Sequence, residues 1–216
     1  MMQILLGILS SYLIGSIPTA YILGRLLKGI DIRKFGSGNV GATNALRVLG
    51  KKAGILVLLL DVLKGFIPVF FIVNLVFSTT ALVSEETLGV ILGISGICGH
   101  NWTIFLNFKG GKGVATTFGV LIGLAVKTVG LAYVVGVAVA IWISVFLVSR
   151  IVSLSSILAA ASFPLLAIIF GQSPMVIGTG ILLSIFILMR HRSNFYRILQ
   201  GKESRVTFKK KLSSSG

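Results

Sequence analysis

Residues 151–189 read IVSLSSILAAASFPLLAIIFGQSPMVIGTGILLSIFILM, 39 positions without one charged side chain. A helix needs about 20 apolar residues to cross the hydrocarbon core of a bilayer, so this run suits two crossings and is too long for one. Gly171-Gln172-Ser173-Pro174 supplies the turn between them. The stretch therefore predicts a helical hairpin that returns to its starting side, with Arg150 before it and Arg190 after it.

The same reading extends outward. Residues 113–149 run from Lys112 to Arg150 with one interruption, Lys127, and again predict a pair. Its first member, 114–126, is short: tilted, half-spanning, or extended through Lys127. Residues 53–108 form a third pair, with Ser78-Thr79-Thr80 and Glu85-Glu86 in its connecting turn. Residues 3–24 give a first span, with a kink expected near its end at Pro18. Each pair brings the chain back to one side. Eighteen of the 20 Lys and Arg residues then share that side, the exceptions being Lys64 and Lys127. Basic loops stay cytoplasmic. The expectation is an all-α integral membrane protein with seven transmembrane helices, the N-terminus outside and the C-terminus cytoplasmic.

Composition agrees. The chain is 55% hydrophobic and only 12% charged, and its mean hydropathy is +1.02. Soluble domains average about 25% charged residues. The apolar runs are continuous, which excludes the alternating segments of a β-barrel. Met1-Met2-Gln3 lacks a basic lead-in and no cleavage site follows, so the first span is read as retained. The single cysteine, Cys98, excludes an intramolecular disulfide or a multi-cysteine metal site. Residues 1–206 are read as one domain. Residues 207–216 form a basic tail whose Ser213–Gly216 end is set aside as a vector-derived scar. The net charge of +15 is confined to loops, so the expected partners are anionic lipids and anionic substrates, with no nucleic acid.

Three polar stretches interrupt this apolar background. The first is Gly36-Ser37-Gly38-Asn39-Val40-Gly41-Ala42-Thr43-Asn44-Ala45-Leu46-Arg47. Glycines let backbone N–H groups approach a ligand, while hydroxyls, amides and an arginine add donors, a combination suited to phosphate. Helix packing also uses glycine and alanine, but it does not call for Ser, Thr, two Asn and Arg together. The second stretch holds His100 and then Lys109-Gly110-Gly111-Lys112-Gly113, two ammonium groups around a loop expected to expose backbone N–H groups as a helix opens. It is not a Walker A loop, because Gly113 follows Lys112 where Ser or Thr is required, and no glycine sits five positions upstream of Gly111. The third stretch runs from Arg190 to Glu203. His191 and Asn194 lie three apart and share a helical face. Asp61 and Lys64, inside the second span, are placed to pair and to face the bundle interior.

The chemistry follows from what is present and what is missing. Two phosphate-type sites on one membrane face suggest two anionic substrates. Arg47, Lys109 and Lys112 would offset their repulsion. His100 is followed five positions on by Phe105, and His191 by Tyr196, so neither forms the His-x-x-x-x-Asp pair of one acyltransferase class. No metal cluster or paired carboxylates appear, and no cofactor is expected. The reactive group should then arrive already activated, as an acyl phosphate would.

These three stretches, with Gly15–Ala20, Asp31-Ile32-Arg33, Asp61–Gly65 and Arg150–Ser153, resemble the bacterial PlsY acyl-phosphate:glycerol-3-phosphate acyltransferases. GSGNVGATN and FKGGKGVATT are highly specific in this order and spacing, and the likeness runs to about Val206. It implies a multi-pass bacterial cytoplasmic (inner) membrane enzyme with its site facing the cytoplasm. It also implies transfer of a long fatty acyl chain from acyl phosphate to the 1-hydroxyl of glycerol 3-phosphate, giving lysophosphatidic acid and phosphate, the first step of phospholipid synthesis.

Carried over by position, the resemblance implies catalytic roles for Ser37, His191 and Asn194. It implies substrate or phosphate binding by Gly36, Gly38, Asn39, Thr43, Asn44, Arg47, His100, Lys109, Gly110, Gly111, Lys112, Gly113 and Glu203, no metal, and a monomer. Thr103 stands where relatives often have Pro, Ser193 replaces a common acid and Phe195 a common Ile. The rival reading is an anion transporter, which would bind at the midplane between repeats. No repeat is evident here.

Overall fold

The computed structural model describes residues 1–78 and 82–206. The expected turn residues Thr79 and Thr80, and the 207–216 tail, lie outside the described residues. The architecture is all-helical: α1 Met2–Ser16, α2 Thr19–Lys28, α3 Ala42–Leu49, α4 Lys51–Ile67, α5 Val73–Phe77, α6 Glu85–Asn101, α7 Val114–Ala125, α8 Leu131–Ser149, α9 Val152–Ile169, α10 Pro174–Arg190 and α11 Arg192–Leu199. Five segments are long and apolar enough to cross a membrane: Met2–Lys28, Lys51–Phe77, Glu85–Leu106, Leu131–Ser149 and Val152–Ile169. The bent pair α10–α11, with 63° between its axes, makes a sixth, and Val114–Ala125 is a shorter apolar helix.

Local chemistry sets the ends of these helices. The hairpin turn falls where its residues required it. Ser173 caps α10 by accepting from the Val176 N–H (3.2 Å), and Pro174 takes the first turn, where its missing N–H costs nothing. Glu85 and Glu86 were expected in a turn. They instead form the first turn of α6, capped by Ser84, where carboxylates favour the positive end of the helix dipole. Pro18 interrupts the helix inside the first span, separating α1 from α2. Pro68 opens a π-helical turn, Pro68–Ile72, between α4 and α5.

Two helix pairs pack through glycine. A Cβ on Gly15 would lie 2.0 Å from the Gly96 carbonyl oxygen, and one on Gly99 would lie 2.1 Å from that of Tyr12, so α1 and α6 meet backbone to backbone. Gly65 and Gly119 bring α4 and α7 together in the same way, each with a carbonyl 1.9 Å from the would-be Cβ. A buried core of Val69, Val90, Ile97, Val120, Leu124, Leu131, Val134 and Ala167 closes one end of the bundle. Many large apolar side chains remain outward, Leu75, Tyr133, Leu147 and Val148 among them, as expected where the solvent is lipid.

Candidate active site

The first polar stretch folds around one side chain. Asn44, on α3 and 1% exposed, accepts from the Ser37 N–H (2.9 Å) and donates to the Phe35 carbonyl (3.1 Å). Gly36 passes so close, at φ 61°, that a Cβ would meet the Asn44 Oδ1 at 2.3 Å. Asp31 steadies the start of the loop. It accepts from the Arg33 N–H (3.0 Å) and pairs with the guanidinium (2.7 Å), which pulls its carboxyl down to about 2. The loop thus presents Ser37 and Asn39, and α3 presents Thr43 and Arg47, one turn apart, to a common cavity. Asn44 also borders that cavity, but its amide is spent on the loop. Gly38, at φ 71°, shapes the loop without lining the cavity.

The second stretch differs from expectation. Gly110 donates its N–H to the Asn101 carbonyl (3.2 Å) and Gly111 to that of His100 (2.9 Å), so neither is an open donor. Their carbonyls face out and are clamped by Arg190, whose Nη2 donates to Gly110 O (3.1 Å) and Gly111 O (2.7 Å). The same guanidinium lies over the Trp102 ring, 5.7 Å from its centroid. Lys109 is exposed, Gly110 half-buried and Gly111 buried, and none of the three lines the common cavity. What remains for a ligand is Lys112, Gly113 and the start of α7. Thr103 resolves its own departure from Pro: its hydroxyl donates to Ser16 O (2.5 Å) and accepts from the Phe105 N–H (3.2 Å). Burial pushes the Lys112 ammonium down to about 8, with Glu203 opposing and the arginines at 197, 190 and 47 adding to the fall.

The third stretch closes the ring. Lys112 donates to the Asn194 side-chain oxygen. Asn194 donates to Glu203 Oε1 (2.5 Å), Ser153 donates to the same oxygen (2.8 Å), and Arg197 donates to Oε2 (2.7 Å). Burial alone would raise the Glu203 carboxyl, but these donors hold it below the usual carboxylate range. His191, 3% exposed, engages the Ile187 carbonyl through Nδ1 (2.8 Å). A carbonyl only accepts, so Nδ1 carries the proton and Nε2 is the nitrogen left for a substrate.

Asp61 and Lys64 pair as expected, at 2.7 Å and both buried. Thr19 completes the cluster by donating to Asp61 (2.7 Å) and accepting from Lys64 (3.1 Å). The His100 Nδ1 sits 3.9 Å from Asp61 Oδ1.

Side chains from all three stretches, with Asp61, border one cavity of about 890 Å³. Its polar end carries Ser37, Asn39, Thr43, Arg47, His100, Lys112, His191, Asn194 and Glu203. Its other end is apolar, with Leu58, Phe118, Leu121, Val139 and Phe163 among its walls. Asp61 is neutralised by Lys64 and Glu203 by Arg197, whereas no carboxylate among the described residues pairs with Arg47 or Lys112. The polar end therefore offers two uncancelled positive charges above an apolar chamber. Sequence reasoning gave no role to Thr117, Ser153 or Ser156, which also line the cavity. The Thr117 hydroxyl is buried without a protein partner. Two serines three apart on an uncharged span were the available signal for Ser153 and Ser156.

Comparison with known proteins bears on this geometry. Residues 5–201 match the sequence model of the glycerol-3-phosphate acyltransferase family. The glycerol-3-phosphate acyltransferase of Chlorobium limicola is 41% identical, across 97% of this chain and 99% of its own length. That of Staphylococcus haemolyticus is 42% identical, across 95% and 98%. A crystal structure of PlsY (YgiH), an integral membrane glycerol 3-phosphate acyltransferase in its glycerol 3-phosphate form, superposes with a TM-score of 0.82 at 40% identity, covering 94% of this chain and 96% of that one. Its lysophosphatidic acid form gives 0.79 at 39%, covering 94% and 95%.

Proposed function

Because this chain belongs to the glycerol-3-phosphate acyltransferase family, we propose that it takes its acyl group from an acyl phosphate, delivers it to the 1-hydroxyl of glycerol 3-phosphate, and releases lysophosphatidic acid and phosphate. One observation carries this reading: a single cavity joins the unpaired cations Arg47 and Lys112 to an apolar chamber. An acyl phosphate has that shape and polarity. Its anhydride bond is already activated, so the protein has to position and stabilise more than to activate.

The hydroxyl oxygen of glycerol 3-phosphate attacks the acyl carbonyl carbon. The bond from that carbon to the phosphate oxygen breaks, and the hydroxyl proton passes to a phosphate oxygen of a substrate. Ser37 and neighbouring N–H groups stabilise the oxyanion or the departing phosphate. His191 Nε2 accepts a hydrogen bond from the neighbouring 2-hydroxyl and so orients glycerol 3-phosphate for attack by its 1-hydroxyl, and Asn194 holds the Lys112 ammonium in place. Arg47, Lys112, Thr43, Asn39 and the start of α7 at Gly113 bind phosphate. Glu203, Asn44 and Gly36 shape the walls, and Gly38 the loop behind them. His100 sits between Asp61 and the glycine loop as its support, with Lys109, Gly110 and Gly111 forming that loop's outer turn.

Residues 1–206 then form one domain of seven crossings, with α7 the short one. The N-terminus is outside, and the C-terminus and site face the cytoplasm of the bacterial inner membrane, where the basic loops belong. The protein acts as a monomer among membrane lipids. The test uses purified protein with labelled glycerol 3-phosphate and either palmitoyl phosphate or palmitoyl-CoA. Labelled lysophosphatidic acid should form from the acyl phosphate alone; formation from the thioester at a comparable rate would overturn the donor assignment.

A further inference from the structure

The apolar chamber has a definite floor. Along α9, Ser153, Ser156, Ala160 and Phe163 line the cavity at helical spacing, passing from polar to apolar. Along α10, His191, Ile187, Ser184 and Gly180 do the same in reverse. At 1.5 Å per residue, Phe163 lies about 15 Å along α9 from Ser153, and Gly180 lies about 16 Å along α10 from His191. Beyond them the fully buried Leu131 and Ala167 close the bundle.

At this floor the Phe163 ring fills the space over Gly180. A Cβ on Gly180 would fall 2.7 Å from its Cδ1 and 3.0 Å from its Cε1. The backbone that carries the ring is fixed. Pro164 has no N–H to give the Ala160 carbonyl, and Ser184 on α10 donates to that carbonyl instead (2.5 Å). The ring is 5% exposed and packs in the core between the two helices.

We propose that Phe163, seated over Gly180, is the stop that limits how long an acyl chain lies extended in this cavity; the proposal rests on the acyl-transfer reading above. With C–C bonds of about 1.5 Å at tetrahedral angles, an extended chain advances about 1.25 Å per carbon. The depth from polar rim to ring therefore takes roughly twelve carbons. A longer chain bends against the ring or leaves the chamber between helices. Shortening the ring deepens the chamber. A methyl group on Gly180 displaces the ring, and the closed core below leaves the cavity as the open direction.

The experiment compares wild type, Phe163→Ala, Phe163→Leu and Gly180→Ala, each purified and assayed with glycerol 3-phosphate and with decanoyl, lauroyl, palmitoyl and stearoyl phosphates. The readout is the ratio of kcat/KM for stearoyl to lauroyl donor within one preparation, which cancels any loss of folded protein. Phe163→Ala raises the ratio about tenfold and Gly180→Ala lowers it about tenfold, the scale of a misfitted methylene in an apolar pocket. Phe163→Leu shifts it in the direction of Phe163→Ala. A wild type that transfers acyl groups, with all variants within twofold of its ratio, overturns the stop alone. A wild type inactive with every acyl phosphate overturns the acyl-transfer reading and the stop with it.

Discussion

The Lys112 ammonium donates to the Asn194 side-chain oxygen, joining residues 82 positions apart in the chain. Through Asn194 the lysine is tied to Glu203, and through Glu203 to Ser153 and Arg197. The cavity-facing cation is thus held by a relay from α11 to the start of α9. Burial has pushed it down to about 8 from an ordinary 10.5.

That shift has a signed consequence. Below pH 8 Lys112 is charged and, in the role proposed for it, holds a phosphate; above it the charge is lost. Substrate phosphates, with a second pKa of about 6, are dianions throughout this range. The KM for an anionic substrate should therefore rise as pH passes through about 8. Stability moves the other way. Between about 8 and 10.5 the unfolded chain binds the Lys112 proton and the folded one does not, so stability attributable to this group rises with pH. A Lys112→Arg variant should lose the limb near pH 8 in a KM–pH profile; an unchanged limb would assign it to another group.

Arg47 lines the cavity and has no carboxylate partner among the described residues. Arg47→Ala should raise the KM for an anionic substrate about tenfold or more, the worth of a hydrogen bond to a charged group, with a smaller change in kcat. Initial-rate kinetics over both substrates check this, and an unchanged KM for each would remove Arg47 from the phosphate site.

His191 should behave differently. With Nδ1 committed to Ile187, the ring has Nε2 free to accept from a substrate hydroxyl. His191→Gln should lower kcat by about a hundredfold at similar KM, the cost of a reactant misplaced by about 1 Å. Full turnover in the variant would remove any role for the imidazole.

The Asp61–Lys64 pair carries stability. Removing one partner of a buried pair costs about 3–5 kcal/mol, because a charge is left behind, while replacing both is far cheaper. Asp61→Asn should lower the thermal unfolding midpoint in detergent clearly, and adding Lys64→Met should recover part of the loss. Equal midpoints for wild type and Asp61→Asn would contradict the pairing.

Much of this was legible in the chain, for reasons that differ by element. The 170–173 turn was readable because Gly171, Ser173 and Pro174 act within a few residues of themselves. The break at Pro18 is local in the same way. The clustering of Ser37, Arg47, Lys112, His191 and Asn194 could be anticipated because the paired apolar runs put their loops on one side. Within the Lys109–Gly113 loop, the Gly110 and Gly111 N–H groups are not open donors because their partners, the carbonyls of Asn101 and His100, come from the end of α6, which sequence spacing does not reveal. Asn44 is similar: its amide serves its own loop. Thr19 against Asp61, and Ser153 against Glu203, are contacts between distant segments, and nothing local announces them.

The most direct test of the account is phosphate release from palmitoyl phosphate by the purified protein, measured with and without glycerol 3-phosphate. The account predicts release only with glycerol 3-phosphate, one phosphate for each lysophosphatidic acid formed. Release without the acceptor would mark a hydrolase, and no release under either condition would return the cavity to an anion transporter.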